Sequence, residues 1–152
     1  MSKNVLTTAI LALVLGGCAS VPMESVEQSM DAKQFNPPPA NKAGLYIYRD
    51  SSFGAALKKD IWVDGRCVGE SAPNTFFYEV VGGDVAHTIS TESEFSPNNL
   101  AINTDAGKNY FVRQYIKFGV FVGGAGLELM DTEAGMNAVS KLELAKSGTC
   151  SK

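Results

Sequence analysis

Hydrophobic and polar positions alternate with different periods in different parts of the chain. Val5 to Leu15 is apolar apart from Thr7 and Thr8 and carries no charge. Ala19 to Lys42 has no sustained period. Its first half mixes acids, Ser and Met, enough for a loose helical turn across Val21 to Lys33, and Pro37-Pro38-Pro39 stiffens the second half towards an extended chain. From Gly44 the pattern becomes short and two-fold. Leu45 and Ile47 alternate with Tyr46 and Tyr48, which predicts a strand with distinct faces. Further strands are expected at Ile61–Val63, Arg66–Glu70, Thr75–Val81, Val85–Thr91, Leu100–Asn103, Asn109–Phe118 and Leu127–Met130. Asp64-Gly65 is a two-residue hairpin signal, because both central positions of a type I′ turn need positive φ. Pro73-Asn74, Gly82-Gly83-Asp84, Ser96-Pro97-Asn98-Asn99 and Asp105-Ala106-Gly107 mark the other turns. Near the end the spacing lengthens to three, at Met136, Val139 and Leu142. This predicts a short helix capped by Asp131 or Thr132, with Gly135 as a weak point. Leu142–Ala145 can instead form an edge strand.

Short strands broken by regular turn signals predict an all-β fold: an antiparallel β-sandwich of about seven or eight strands with one short C-terminal helix. The expected organisation is a leader at 1–17, a flexible Pro-rich linker at 18–43 and a sandwich domain at 44–152. A linker of that length spans about 25–30 Å on average and would let the domain stand off whatever holds its start.

The first segment has the order of a secretory signal: positive charge at Lys3, then an apolar run too short to span a bilayer. It closes on Leu15-Gly16-Gly17-Cys18. These four positions resemble the lipobox of bacterial lipoproteins. The resemblance implies cleavage before Cys18, a diacylglyceryl thioether on its sulfur and a further acyl group, such as palmitate, on its new amine. More than one acyl chain anchors stably. Ala19 stands where Asp would signal inner-membrane retention, so the expected location is the outer membrane, facing the periplasm. An ordinary signal peptide with an incidental cysteine is the plainer alternative.

Charge and cysteine content narrow the function classes. The formal net charge is −3, and loss of Lys3 with the leader makes it more negative. A mildly acidic chain without a basic run is a poor nucleic-acid binder. With Cys18 taken by lipid, Cys67 and Cys150 remain, and in an oxidising periplasm they are expected to form one disulfide. A loop of this length would stabilise by about 4–5 kcal/mol in the chain-entropy picture. Two free thiols are the alternative. No CxxC pair and no second histidine supports a metal site, and no cofactor is implied.

Two wider resemblances follow from motifs. Val63-Asp64-Gly65-Arg66-Cys67-Val68-Gly69-Glu70-Ser71-Ala72-Pro73, followed by Phe76–Tyr78, Gly82-Gly83 and His87-Thr88-Ile89, resembles the PEGA-type extracellular β module, with Ala72 where Thr is usual. Gly44-Leu45-Tyr46-Ile47-Tyr48-Arg49, the Asp64-Gly65 hairpin, Tyr110-Phe111-Val112-Arg113-Gln114 and Gly123-Gly124-Ala125-Gly126 resemble the bacterial lipoproteins of the domain of unknown function 2846 family. That resemblance implies a transthyretin-like sandwich and supplies no established activity or catalytic residues to carry over.

Candidate chemistry is sparse. His87, the one histidine, is expected to be a hydrogen-bonded or surface residue rather than a general base. Glu92 and Glu94 would share a face on a strand, where they could bind a cation or act as acid and base, but a solvated loop is the plainer expectation. Gly123–Gly126 lacks the context of a phosphate loop. Val120-Phe121-Val122 beside it is a candidate apolar contact loop. Tyr46, Tyr48, Trp62, Tyr78, Tyr110 and Tyr115 could form a sugar-stacking surface, although sandwich aromatics usually pair across strands. Arg49 and Arg113 could make an anion patch, or pair with Asp50 or Glu79. The expected function is a non-enzymatic binding or adaptor module for an envelope protein or peptidoglycan. A carbohydrate-binding module and an envelope hydrolase using Glu92, Glu94 or His87 are the alternatives.

Overall fold

The structure is a computed structural model that describes residues 19–151. The leader and the proposed lipid anchor Cys18 lie outside the described residues. Elements run in the order α1 (Val26–Ala32), β1 (Lys42–Arg49), β2 (Lys59–Val63), β3 (Arg66–Ser71), β4 (Thr75–Gly82), β5 (Val85–Thr91), β6 (Asn98–Thr104), β7 (Asn109–Lys117), β8 (Gly124–Met130), α2 (Thr132–Val139) and β9 (Glu143–Leu144). The strands make a five-stranded sheet in the order β8-β7-β1-β4-β9 and a four-stranded sheet in the order β3-β2-β5-β6. The fold is therefore mostly β and sandwich-like, as the turn spacing predicts.

The period-two pattern of β1 explains the layering. Leu45 and Ile47 point between the sheets, where they meet Ile61, Val63, Ile89 and Ile102 of the other sheet. Tyr46 and Tyr48 point the opposite way and are just as buried, in a second core with Phe76, Phe111, Val139 and Leu142. Both faces of β1 are covered because the five-stranded sheet is the middle layer. Two of its pairings are parallel, β1 with β7 and β4 with β9, whereas sequence alone suggests an antiparallel sandwich throughout. Parallel neighbours need a long connection. Here the connection from β1 to β7 includes the whole four-stranded sheet.

The two sheets are also tied by a buried polar chain. Gln114 of β7 is fully buried. Its Nε2 donates to Thr91 Oγ1 of β5 at 2.7 Å, and Thr91 Oγ1 donates to the Asp60 carbonyl of β2 at 2.9 Å. Ser71 of β3 donates its hydroxyl to Gln114 Oε1. Such a chain fixes register between layers, because each buried polar group is costly unless its partner is in place.

The N-terminal segment differs from its expectation as a flexible linker. Ser25 and Gln28 form a capping box on α1. Glu24 N–H donates to Leu144 O at 3.0 Å, Lys146 N–H donates to Pro22 O at 2.8 Å, and Met23 bridges Ala145. Ser29 is buried and donates to Glu143 Oε2 at 2.8 Å. Tyr46 donates its hydroxyl to Ala32 O at 2.9 Å. Phe35, at φ 55°, sets its ring 5.3 Å from that of Tyr46 and 5.8 Å from that of Phe111. A non-glycine residue holds this backbone region only where packing over-determines it. Ala32 and Phe35 thus pack against the second core from a segment whose own sequence shows no clear period, which is why pattern alone misses them.

At the other end of the chain, Asp131 is the N-cap of α2, accepting from Ala134 N–H at 2.9 Å. Val139 and Leu142 are buried, while Met136 lies at the exposed edge. Gly135, unfavourable by propensity, faces the Phe111 ring and Cβ so closely that any side chain would collide. Gly126 of β8 has a similar origin, since Tyr115 lies across it; β8 starts at Gly124 rather than at Leu127.

Gly135→Ala is expected to lower stability by about 1–3 kcal/mol through overpacking, despite the better helix propensity of alanine. Urea denaturation checks this, and a raised midpoint would show that Phe111 yields instead.

Candidate functional site

Strand direction divides the loops between the two ends of the sandwich. β1 and β7 run parallel, β4 runs against β1, and β5 runs against β2. Loops 50–58, 92–97 and 118–123 therefore gather at one end. The turns at 64–65, 82–84 and 105–108 gather at the other.

The first end is organised by Arg49. The residue is fully buried at the end of β1, and none of the ion pairs among the described residues includes it. Its Nη1 donates to Leu57 O at 2.6 Å, and its Nη2 to Phe53 O at 3.2 Å and Gly54 O at 2.8 Å. Burial pulls its pKa below the usual arginine value, but an arginine remains charged in proteins. A cation without a carboxylate is held by aligned carbonyls, and those carbonyls shape loop 50–58. This role replaces the anion patch or ion pair expected of Arg49. Arg113 pairs with Asp50 at 2.8 Å and Glu128 at 2.9 Å. Glu79 instead pairs with Arg66 at 2.6 Å.

A second anchor at this end is Glu94. Its Oε2 accepts from Val120 N–H at 2.6 Å, and its Oε1 accepts from the N–H groups of Phe121 and, at 3.3 Å, Val122. Slight desolvation opposes the charge, but the three backbone donors outweigh it and hold the carboxyl below the usual carboxylate range. Glu94 thus shapes loop 118–123 from inside while the side chains of Phe118, Val120, Phe121 and Val122 point outward and are exposed. The Phe53 and Phe118 rings meet edge-on at 5.0 Å. Between the two loops lies a depression of about 250 Å³ lined by Leu57, Ile116, Phe118 and Val122 among others. Sequence pattern identifies the apolar loop. It does not reveal that Glu94 supports it, because the two are far apart along the chain.

His87 lies at the opposite end and is buried. Its Nδ1 is 2.6 Å from Asp64 Oδ2 and its Nε2 is 2.9 Å from Gly82 O. Both partners accept, so satisfying both ring nitrogens requires the imidazolium. Burial works against the charge, but the hydrogen bonds to Asp64 and Gly82 prevail and raise the pKa above its ordinary value. Asp64 is shifted the other way. Its desolvation is outweighed by hydrogen bonds from His87 and the Thr88 amide and by the charges of His87 and Arg66. The same Asp64 sits at φ 51° before Gly65 at φ 76°, the predicted two-residue turn. His87 therefore ties the hairpin to β4.

These placements separate His87 from the two proposed glutamates, which line one depression with Trp62. Glu92 follows His87 by five residues of extended strand, about 17 Å. Its Oε2 accepts from Asp60 N–H at 3.3 Å. Among the described residues, no group of three or more His, Cys, Asp or Glu side chains is placed to hold a metal ion. The candidate sugar-stacking aromatics do not share an exposed face. Tyr46 and Tyr48 are buried, and Trp62, Tyr78, Tyr110 and Tyr115 are half-buried. Desolvation raises the Tyr46 pKa and pushes that of Tyr48 up to about 12.

Cys67 and Cys150 form a disulfide with their Cα atoms 6.1 Å apart. The tail beyond it is held by Asp60, a fully buried carboxylate on β2. Asp60 accepts from the Ser151 N–H through both oxygens at 3.0 Å, and from the Ser151 hydroxyl at 2.7 Å. No sequence motif marks Asp60 for this role.

The sequence profile of a family described as protein of unknown function (DUF2846) matches residues 39–125. A Haemophilus influenzae protein described as uncharacterized is 58% identical over 137 residues, covering 90% of this chain and 81% of that one. No solved structure is significantly similar to the chain.

Two outcomes are expected at the two ends. The His87 pKa is raised, so its contribution is full below pH about 6.5 and is lost as pH climbs through the folded value. The lowered Asp64 value gives a contribution that is lost as pH falls through it. His87→Gln should flatten the loss of stability on the alkaline side, read from urea midpoints across pH, and an unaltered slope would remove the imidazolium. Glu94→Ala should speed amide exchange at Val120, Phe121 and Val122 and leave global unfolding near its original midpoint. Unchanged exchange there would mean that the carboxylate does not hold the loop.

Proposed function

As the chain belongs to the DUF2846 family of proteins of unknown function, we propose that it is a lipid-anchored protein of the bacterial envelope. Cys18 carries the anchor in the outer membrane, and the sandwich faces the periplasm as a non-enzymatic binding or adaptor module for an envelope protein or peptidoglycan. The observation that carries this proposal is the Cys67–Cys150 bridge. Structural disulfides persist in oxidising compartments. The bridge also uses both cysteines other than Cys18, which leaves that thiol for a separate chemistry beside an apolar leader.

A binding role is supported by the distribution of the polar side chains. His87 is engaged at a hairpin, while Glu94 in loop support and Glu92 near β2 lie at the opposite end. Glu92 and Glu94 line one shallow depression with Trp62, but His87 is at the other end of the sandwich. The exposed aromatic side chains of the described residues, by contrast, are Phe53, Phe95, Phe118 and Phe121, all on one set of loops.

Cys18→Ser is expected to abolish signal-peptide processing that is sensitive to a lipoprotein-peptidase inhibitor, and to move the protein out of the detergent-requiring membrane fraction. A Cys18→Ser protein that is still processed and still needs detergent would overturn the anchor.

A further inference from the structure

The first described residue, directly after the proposed anchor, is already hydrogen-bonded to the domain. Ala19 N–H donates to Ala55 O at 2.8 Å. Ala55 belongs to loop 50–58, which Arg49 fixes, and it lies two residues from Phe53. Cys18 is one peptide bond before Ala19, about 3.8 Å between Cα atoms. The start of the mature chain therefore leaves the domain at the end that carries the exposed apolar loops, with no slack segment between them.

That end has the properties of a surface made to enter an apolar medium. Phe118 is 89% exposed and Phe121 83%, with Val120, Val122, Phe53 and Phe95 exposed nearby. Isolated exposed hydrophobics are ordinary, but a contiguous group marks a contact surface. The backbone beneath it is already satisfied. Glu94 accepts the N–H groups of Val120, Phe121 and Val122, and Arg49 takes the carbonyls of Phe53, Gly54 and Leu57. Backbone groups without partners are costly in hydrocarbon, so this internal pairing removes the main obstacle to inserting a loop tip. Exposed Lys117 directly precedes Phe118 and puts a cation next to the apolar loop in sequence.

We propose that loops 50–58 and 118–123 insert Phe53, Phe118, Phe121 and their aliphatic neighbours into the periplasm-facing leaflet beside the lipid on Cys18. The sandwich then sits directly on the bilayer in a fixed orientation. This rests on the lipid anchor proposed above. The end bearing Asp64, His87 and Gly82 points away from the membrane and is the end left free for a partner.

The test uses the mature protein purified from membranes and reconstituted in phosphatidylethanolamine–phosphatidylglycerol vesicles containing lipids brominated on their acyl chains. Trp62, the one native tryptophan, is replaced in Trp62→Phe. Into that background go Phe121→Trp, Phe118→Trp as a second reporter, and Val85→Trp as a reporter at the opposite end. Intact mass first establishes whether Cys18 carries lipid. With lipid present, fluorescence from positions 118 and 121 should shift to the blue and lose most of its intensity, while position 85 is unaffected. A lipidated protein whose tryptophans at 118 and 121 are not quenched overturns insertion and leaves the anchor standing. If those positions are unquenched and the protein sediments as a dimer, a second copy covers the loops and insertion is again overturned. A mature chain of unmodified mass overturns anchor and insertion together.

Discussion

The buried guanidinium of Arg49 is the constraint on which one end of this molecule depends. A cation taken out of water needs either an opposite charge or a dense set of dipoles. Here it receives the carbonyls of Phe53, Gly54 and Leu57. Three carbonyls aimed at one point leave the connecting loop little conformational freedom. The same loop then receives Ala19 at the start of the described chain and presents Phe53 to Phe118. Replacing the arginine by an apolar residue would release the carbonyls rather than merely delete a charge.

The middle position of the five-stranded sheet has a second consequence. A sheet in a two-layer sandwich can leave its outer face to water. This one buries tyrosine and phenylalanine on that face, and the cover comes from both chain ends: α1 with Phe35 on one side, α2 and Leu142 on the other. The ends are joined to each other through Met23 and Ala145, and through Ser29 and Glu143. The disulfide and the Asp60 clamp then secure the last residues to the four-stranded sheet. Loss of order at either terminus would therefore uncover aromatic surface, so the terminal segments are part of the fold rather than appendages to it.

The ionisable groups show a division of labour. Arg49 and Glu94 each satisfy several backbone groups of one loop, while His87 and Asp64 satisfy one another at a hairpin. In each case a charge is used to fix backbone geometry. The two anchored loops expose apolar side chains as a result, since their polar atoms are turned inward.

Period and turn chemistry by themselves determined much of this protein. The alternation of Leu45 and Ile47 with Tyr46 and Tyr48, the Asp64-Gly65 turn and the Asp131 cap are local signals, because φ preference and side-chain period act over a few residues. The pairing of Cys67 with Cys150 could be expected once Cys18 was set aside. Tertiary structure decided the rest. Only packing made both faces of β1 buried, brought β7 parallel to β1 and docked residues 19–42 onto the sheet, since those contacts join segments whose own sequences carry no period pointing to each other. Arg49, Asp60 and Glu94 acquired their roles in the same way. A charged side chain reads as solvent-facing in sequence, and its function is set by which distant backbone groups arrive beside it.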